Sequence, residues 1–381
     1  MRRLGMYIWQ QTDWPWWRYD LAALQPLLAQ VHQGQGRLQG RLHDVGWAVQ
    51  EQAMLQVLSQ DVLKTSEIEG ELLNPQSVRS SLARRLGVDI GALVPADRHV
   101  EGVVDMVMDA TRNFAQPLTA QRIMGWQAAL FPTGYSGLMP VQVGRWRDDA
   151  RGPMQVVSSP MHRQTVHYEA PPAAQLAQQV EYFLQWFNAQ GQVLDPVIKA
   201  GLAHLWFITL HPFDDGNGRV ARAVADMALA RAEGSSLRCY SLSAQIQQER
   251  KDYYDWLERT QKGGMDVTAW LQWFVGCLLR AIERAGEVVS AVLTKARFWQ
   301  TTGAVAMNER QVKVINRMLD GFEGKLTSSK WAALAKCSQD TAQRDIADLI
   351  TKGVLLKSAA SGRATSYEVV GLGAADQCRA G

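Results

Sequence analysis

The sequence contains few cysteines and none of the spacings that build a disulfide framework or a zinc site. Its four cysteines, Cys239, Cys277, Cys337 and Cys378, are scattered along 381 residues. No two of them form a CxxC pair, and no histidine lies near them at a metal-ligand spacing. The sequence therefore predicts a protein of a reducing compartment, the cytoplasm.

Strong charge and long apolar runs are also missing. Charged residues make up 20% of the chain and the net charge is +3, which does not mark it as a nucleic-acid coat or a membrane binder. The longest apolar stretch, from Ala200 to Leu210, is far shorter than the roughly 20 residues that a membrane helix needs. The basic start is followed by polar Gln10 and Asp13 too early for a signal peptide. We expect a soluble cytoplasmic protein with no membrane partner.

Helical periodicity dominates the pattern that is present. Apolar residues recur at intervals of three and four, as in helices that bury one face. Gly34 and Gly36 predict the end of the first helix, and Thr119 is suited to cap a later one. The predicted helices are Leu21–Gln33, Val45–Leu63, Ser77–Arg85, His99–Phe114, Thr119–Leu130, Pro172–Gln190, Asp195–Leu210 and Arg219–Glu233, with more between Ser243 and Ala285.

Two regions depart from this pattern. Between Phe131 and Pro172, glycines and prolines leave only short β-prone pieces, and Val141–Val143 and Met154–Val157 predict a hairpin. After about residue 295, three helical segments precede two β-prone pieces, which is the order of a winged helix. Those segments are Glu309–Leu319, Ser328–Ala335, Ser338–Lys352, Val354–Ser358 and Ser366–Val370. We expect an all-α fold with a small hairpin, divided into residues 1–95, 96–290 and 295–372.

One segment concentrates the chemistry of the chain: His211-Pro212-Phe213-Asp214-Asp215-Gly216-Asn217-Gly218-Arg219-Val220-Ala221-Arg222. Arg219 and Arg222 are three apart, so they project from one helix face. A glycine-rich turn lies just before that helix, whose first N–H groups lack internal partners and attract anions. Asp215 is a hard oxygen ligand suited to Mg²⁺, and His211 titrates near neutral pH and can accept a proton. Together these residues predict a site that handles polyphosphate, metal and a proton.

Each of these features alone has an ordinary structural explanation. A histidine beside a proline is usually a loop residue, Gly-Asn-Gly is a common turn, and helix arginines are mostly solvated or paired. The ordered combination, however, resembles the signature loop of the Fic family, HxFx(D/E)GNGRxxR, at every defining position. The resemblance extends over roughly residues 60 to 280.

The Fic resemblance implies a helical core with a small β-hairpin flap. It also implies transfer of a nucleoside monophosphate, usually AMP from ATP, to a hydroxyl of a target protein. His211 would deprotonate the target Ser, Thr or Tyr, and Asp215 would hold Mg²⁺ between the α- and β-phosphates. Gly216, Asn217, Gly218 and Arg219 would cradle those phosphates, and Arg222 would reach the γ-phosphate.

A second segment resembles the inhibitory signature of the same family, (S/T)xxxE(G/N). Thr65, Glu69 and Gly70 fill it at the end of the second predicted helix. On its own, a glutamate before a glycine is an ordinary helix end. The resemblance implies a class II member in which Glu69 pairs with Arg222 and blocks the γ-phosphate position. The same glutamate would alternatively orient a water molecule for removal of AMP.

Three further regions carry weaker expectations. Gly144 to Arg147, with Met154 to Ser158, matches the position of the family's flap, which aligns a target by strand addition. Tyr254 falls where Fic proteins often place a residue of the nucleotide pocket, although a tyrosine on a helix is more often core. The clustered tryptophans at the start, including Trp9 and Trp14, either pack onto the domain or mark a binding surface.

The C-terminal segment predicts either DNA binding or a protein-docking and dimerisation role. Ser338, Gln339, Thr341, Gln343 and Arg344 would form the exposed face of its second helix, with Lys357 and Arg363 on the wing. Asp340, Asp345 and Asp348 lie on the same helix and count against DNA. A homodimer is left open.

The sequence as a whole predicts an autoinhibited protein adenylyltransferase that uses ATP and Mg²⁺. The alternatives are transfer of another nucleotide, removal of AMP, or a DNA-binding regulator whose Fic domain senses nucleotide.

Overall fold

The computed structural model describes residues 7–43, 47–91, 93–158, 165–191, 194–235, 238–319, 325–358 and 365–370. The fold of these residues is all-α, as predicted, with three small two-stranded sheets. The helices are α1 Leu21–His43, α2 Trp47–Ile68, α3 Pro75–Leu86, α4 Arg98–Arg112, α5 Ala120–Leu130, α6 Ala173–Asn188, α7 Pro196–Leu210, α8 Asn217–Glu233, α9 Leu242–Gln248, α10 Arg250–Gln261, α11 Thr268–Thr302, α12 Glu309–Leu319, α13 Ser328–Ala335 and α14 Gln339–Thr351. The strands are β1 Tyr135–Ser136, β2 Met139–Pro140, β3 Gln155–Ser158, β4 Thr165–Glu169, β5 Leu355–Lys357 and β6 Tyr367–Val369.

The chain forms two compact units, Met1–Ala285 and Gly286–Gly381. The region predicted as residues 1–95 lies within the first unit together with the central helices. Among the described residues, no helix is both long and apolar enough to cross a membrane.

Helices α7 and α8 form the centre of the first unit. Asp195 caps α7, accepting from the N–H groups of Val197 and Ile198, and almost every residue of that helix is buried. Helix α8 packs along α7 and is buried nearly throughout its length. A helix that is apolar on every side, as α7 is, belongs in a core, and the two buried helices fix both ends of the loop that joins them.

The first helix is longer than predicted. The expectation that Gly34 and Gly36 end it is wrong, because α1 continues to His43 and buries Leu38 and Leu42 on the same face. A Cβ at Gly34 would lie 2.7 Å from the side chain of Ile282, so this glycine permits close packing rather than a helix end. Thr119, by contrast, caps α5 as predicted, with its hydroxyl accepting from Arg122 N.

The predicted hairpin is only half correct. Strand β3 pairs antiparallel with β4 and not with Val141–Val143, which is not a strand. Side chains satisfy the backbone there: Asp214 accepts from Gln142 N at 3.0 Å, and Gln127 accepts from Gly144 N at 2.7 Å. The segment is therefore fixed without a strand partner.

The N-terminal tryptophans pack onto the first unit. Trp9 Nε1 donates to Glu169 O at 2.8 Å, and Trp14 Nε1 donates to Gln179 at 2.9 Å. The rings of Trp14 and Trp17 both meet Trp206 edge-on. These contacts favour the packing alternative over a binding surface.

The second unit has the predicted order of three helices followed by an antiparallel strand pair. Helices α12 and α13 keep their predicted bounds, and α14 differs by one residue at each end. Trp331 is fully buried in its core. The expectation for Arg363 concerns a residue outside the described ones.

Candidate active site

The chain leaves α7 through an uncommon backbone conformation at His211. This residue has a φ of 48° and a ψ of 56°, in the left-handed region, while its N–H still donates to Phe207 O at 3.1 Å. Few residues other than glycine adopt such angles, and they are retained mostly where the surrounding structure enforces them. The kink turns the chain abruptly from α7 towards the loop before α8.

The side chain of His211 is set up as a proton acceptor. Its Nδ1 lies 3.3 Å from Ile208 O, the geometry of an N–H donating to a carbonyl, which leaves Nε2 with a free lone pair. Burial lowers the pKa of His211 to about 4, outweighing the Ile208 hydrogen bond, which raises it. The imidazole is therefore neutral at physiological pH and can take a proton.

Asn217 holds the loop between His211 and α8 in one shape. Its Oδ1 accepts from Phe213 N at 2.9 Å, and its Nδ2 donates to Phe213 O at 2.8 Å. Phe213 is fully buried against Trp146, with ring centroids 5.1 Å apart. The Asn217 side chain is thus used within the loop, and its backbone N–H is the part that faces a ligand position.

Arg147 fixes the other side of this loop. It is 3% exposed, its Nε donates to His211 O at 2.8 Å, and its backbone N–H donates to Pro212 O at 2.9 Å. Two further donors reach Pro171 O at 2.5 Å and Asp149 Oδ1 at 2.9 Å. The sequence interpretation placed Arg147 on the flap; instead it is a buried clamp on the backbone of the histidine.

The start of α8 has the features of an anion-binding site. Gly216 is the N-cap with a φ of 88°, and no side chain accepts from the first N–H groups of the helix. Those N–H groups, from Asn217 to Arg219, have no carbonyl one turn earlier in the helix and point outward. The position suits a phosphate or a carboxylate.

Arg219 and Arg222 lie in the first two turns of α8, and each is 1% exposed. Arg222 donates to Thr65 Oγ1 and to Thr65 O, both at 2.8 Å, and to Glu69 Oε1 at 2.7 Å. Arg219 donates to Glu71 Oε2 at 2.6 Å. One nitrogen on each, Nη1 of Arg222 and Nε of Arg219, is buried without a hydrogen-bond partner in the described structure. Buried donors of this kind indicate a site shaped for a further acceptor.

Glu69 lies directly over the start of α8. A Cβ at Gly218 would come within 2.2 Å of Glu69 Oε1 and 3.3 Å of Arg222 Nη1. Only a residue without a side chain leaves room for a carboxylate at this place. The Glu69 carboxylate therefore occupies the position where the helix start and Arg222 together attract an anion.

Asp215 is the residue of the site that fits a metal ion. It is half-buried, and its Oδ1 accepts from Gly216 N at 2.5 Å. Within the described ranges, no group of three or more His, Cys, Asp or Glu is placed to hold a metal. Mg²⁺ is commonly held by one or two carboxylates together with substrate phosphates, and Asp215 beside the α8 start fits that pattern.

The two neighbouring tyrosines have different environments. Tyr253 is buried and its hydroxyl lies 3.0 Å from His204 Nε2. Tyr254, the residue predicted to line the nucleotide pocket, is 38% exposed, and its hydroxyl lies 3.4 Å from Ile68 O at the end of α2. Burial, and then the charge of Glu69, raise the pKa of Tyr254. It lies beside the end of α2.

Glu71 and His99 were not singled out from the sequence. Glu71 accepts from Arg219, and His99 Nε2 lies 3.1 Å from the same carboxylate oxygen. The one available signal was a second glutamate two residues after Glu69, which local patterns do not distinguish from a solvated charge.

Comparisons with known proteins agree with this geometry. Residues 117–229 match the model of the Fic/DOC family, and residues 7–88 match a domain of unknown function, DUF4172. The protein adenylyltransferase Fic of Nematostella vectensis is 31% identical over 115 residues, 30% of this chain and 25% of that protein. That of Culex quinquefasciatus is 32% identical over 102 residues, 26% of this chain and 19% of that protein. The matches thus span a quarter or less of these relatives.

Two solved structures have folds similar to that of this chain. A Fic family protein from Desulfovibrio desulfuricans G20 has a TM-score of 0.52 at 17% identity, covering 93% of this chain and 98% of that one. A Fic domain containing signaling protein from Bacteroides thetaiotaomicron has a TM-score of 0.52 at 18% identity, covering 69% and 97%. The fold and the site define a helical protein with a base and an anion-binding helix start in one loop. Residues 117–229 are similar in sequence to the Fic/DOC family, and the chain has a fold similar to that of these Fic family structures.

Proposed function

We propose that the protein is an autoinhibited protein adenylyltransferase. It transfers AMP from ATP to a Ser, Thr or Tyr hydroxyl of a target protein and releases pyrophosphate. The observation that carries this proposal is the convergence of a neutral His211, an α8 start without a side-chain cap and two buried arginines with unpartnered N–H groups. Relatives named protein adenylyltransferase support the same chemistry.

The residues of the site have distinct tasks in this reaction. The target oxygen attacks the α-phosphorus, the bond from that phosphorus to the bridging oxygen breaks, and pyrophosphate leaves with the electron pair. His211 Nε2 takes the proton of the attacking hydroxyl. The N–H groups from Asn217 to Arg219 and the two guanidiniums hold the phosphates. Asp215 would hold Mg²⁺, which would supply charge neutralisation for the phosphates.

The target would dock on the β3–β4 hairpin. Val156 and Val157 of β3 are 36% and 40% exposed, and among the described residues β3 pairs only with β4. An extended target segment added to that edge gains main-chain hydrogen bonds with little sequence selectivity. The hairpin is tied to the site because Tyr168 on β4 donates to Thr209 O at 2.6 Å, two residues before His211.

Glu69 would keep the enzyme idle. Its carboxylate holds Arg222 and lies over the α8 start, where the triphosphate should bind. ATP can then bind only in a displaced pose with the γ-phosphate excluded from Arg222. Glu69 would act by competition, since a carboxylate and a phosphate have the same preference for this position.

The test compares label transfer from [α-³²P]ATP and [γ-³²P]ATP with the Glu69→Gly protein, alone and combined with His211→Ala. We expect protein-bound label from the α-position only, reduced about 10²- to 10⁴-fold by His211→Ala. His43→Ala is the matched control, because His43 is exposed at the end of α1. Label from the γ-position, or equal labelling with and without His211, contradicts the proposal. Competition by the other nucleoside triphosphates identifies the preferred nucleobase. Loss of AMP from previously modified protein in the absence of ATP would indicate AMP removal instead.

A second function, DNA binding by the C-terminal unit, is favoured by one observation. Asp345, which counted against DNA, is buried and accepts from Arg310 and Asn308. Asp348 accepts from Gln311 and Lys352. Their charges are neutralised within the unit, and the exposed polar face of α14 carries Gln339, Gln343 and Arg344.

The experiment measures binding of the full chain to a fluorescent DNA duplex over a range of salt concentrations. The affinity for DNA should fall as the salt concentration rises. Arg344→Ala should lower the affinity and also make it less dependent on salt, by the amount expected for the loss of about one phosphate contact. Lys313→Ala, which removes an exposed charge of α12, is the control. If the chain does not bind DNA, or if Arg344→Ala binds DNA as tightly as the wild type, protein docking remains as the role of this unit.

A further inference from the structure

Each of the two arginines in the signature loop, Arg219 and Arg222, donates a hydrogen bond to a different glutamate. We call residues 65–71 the latch segment. Glu69 of this segment accepts from Arg222 at 2.7 Å, and Glu71 accepts from Arg219 at 2.6 Å. The side chains of the two arginines are 2% and 1% exposed, whereas those of the two glutamates are 28% and 32% exposed. The arginines are therefore fixed parts of the core, and the glutamates are the parts that can leave.

A helix-ending motif directs both glutamates to α8. Gly70 has a φ of 86°, Gly70 N donates to Glu67 O, and Glu71 N donates to Ser66 O, both at 3.0 Å. This pair of bonds around a left-handed glycine is the Schellman motif. It reverses the chain between Glu69 and Glu71, so the two side chains flank the glycine and reach successive turns of one helix.

Glu71 is held from a second direction by His99. The Nε2 of His99 lies 3.1 Å from Glu71 Oε2, and its Nδ1 lies 3.2 Å from Leu130 O. Both partners are acceptors, so both ring nitrogens must donate, which only the imidazolium can do. The hydrogen bond to Glu71 accordingly raises the pKa of His99, against the effect of its burial. Glu71 is thus shared between two cationic groups, the partly exposed His99 and the buried Arg219.

Arg219 itself is held in place and still has an unused donor. Its guanidinium carbon lies 5.1 Å from the centre of the Phe131 ring, and its buried Nε has no partner in the described structure. Arg219 is three residues before Arg222 and adjoins the α8 start, so a phosphate bound there competes with Glu71 for its charge.

We propose that Glu71 is a second inhibitory carboxylate, holding Arg219 while Glu69 holds Arg222, so that full engagement of the triphosphate requires both glutamates to leave. His99 is a positioning residue for Glu71 and strengthens this second contact. The inference rests on the proposed function for its consequence in AMP transfer, but its effect on nucleotide affinity does not depend on any reaction.

The experiment measures ATP·Mg²⁺ affinity by calorimetry and AMP transfer for four proteins: wild type, Glu71→Gln, Glu69→Gly and the double variant. The double variant should bind ATP about three- to tenfold more tightly than Glu69→Gly, since a partly exposed pair contributes less than a buried one. It should also transfer AMP faster. Glu67→Gln is the control, because Glu67 lies in the same segment but pairs with Lys64 and Gln247.

A second variant separates loss of the contact from damage to the fold. His99→Gln leaves Glu71 and Arg219 intact but removes a cationic partner of Glu71. In the Glu69→Gly background it should tighten ATP binding in the same direction as Glu71→Gln, by a smaller factor.

The outcomes separate the two proposals. A double variant that binds ATP no more tightly than Glu69→Gly overturns the role of Glu71, whatever the transfer rates. If Glu71→Gln and His99→Gln both tighten ATP binding but none of the proteins transfers AMP, the contact is established and the proposed transferase function fails.

Discussion

Replacing Arg147 by lysine tests whether the position of His211 depends on a clamp outside the signature loop. The Arg147 side chain makes three hydrogen bonds, to His211 O, Pro171 O and Asp149 Oδ1. A lysine has one amine and cannot span acceptors that lie in three directions. At least two acceptors then lose their donor, and an unsatisfied buried group costs about 1–3 kcal/mol. Because Asp149 is partly exposed, water can replace its lost donor, which leaves one buried carbonyl unsatisfied, and we expect a loss of about 1–3 kcal/mol in the free energy of unfolding.

The effect on catalysis should exceed what the loss of stability explains. The His211 carbonyl would be free to move, and with it the imidazole, while the phosphate-binding groups of α8 keep their places. In a Glu69→Gly background we expect AMP transfer to fall about tenfold to a hundredfold, part of the contribution of a general base. The affinity for ATP should stay within about twofold, since Arg147 adjoins the base and not the phosphates.

Urea unfolding, ATP titration and label transfer on the same preparations measure these three quantities. Arg145→Lys is the matched control, since Arg145 lies two residues away and is exposed. If the Arg147→Lys protein has the unfolding free energy and the transfer rate of the control, Arg147 does not hold His211 in position. A variant that loses ATP affinity as strongly as transfer would show that Arg147 supports the whole site rather than the histidine.

Three further predictions follow from single contacts. Gly218→Ala should lower ATP affinity at least about tenfold by calorimetry, because its methyl group would fill the position now taken by Glu69 Oε1. Thr65→Val should raise basal AMP transfer about tenfold, and Thr65→Ser should not, because only the valine removes the hydroxyl that accepts from Arg222. Burial lowers the pKa of His204 to about 3, so the unfolded chain binds an extra proton below its ordinary pKa and stability falls on acidification. Between about pH 6.5 and 4 the wild type should lose about 1.4 kcal/mol per pH unit more than His204→Gln in urea unfolding.

The signature residues could be predicted because their chemistry depends on local order. His211, the glycines and the arginines lie within twelve residues, and helix geometry alone brings Arg219 and Arg222 to one face. The contact of Glu69 with Arg222 joins residues 153 positions apart, and only the resemblance of two separate motifs suggested it. The structure brings the two together at 2.7 Å, while the inhibitory role of the pair stays a prediction.

The errors arose where tertiary contacts override local signals. Val141–Val143 has the composition of a strand, but side chains from α5 and from the signature loop satisfy its backbone, so no partner strand is needed. Gly34 is a helix-ending signal by composition, yet it allows α1 to approach Ile282. The function of Arg147 depends on the backbone carbonyls that it reaches 64 and 24 positions away, and no sequence pattern marks a carbonyl acceptor.

The contacts of the latch segment and the proposed binding of phosphate depend on the same attraction between anions and the start of α8. The groups that we propose to bind a triphosphate are the N–H groups at the α8 start, Arg219 and Arg222, and such groups attract any anion of suitable size. In the structure the anions beside them are internal, with Glu69 over Gly218 and Glu71 on Arg219. A substitution that adds positive charge beside these groups would strengthen the binding of phosphate and also of the two carboxylates. Under the proposed function, activity would therefore be regulated by movement of residues 65–71, where Arg250 and Tyr254 donate to Ile68 O.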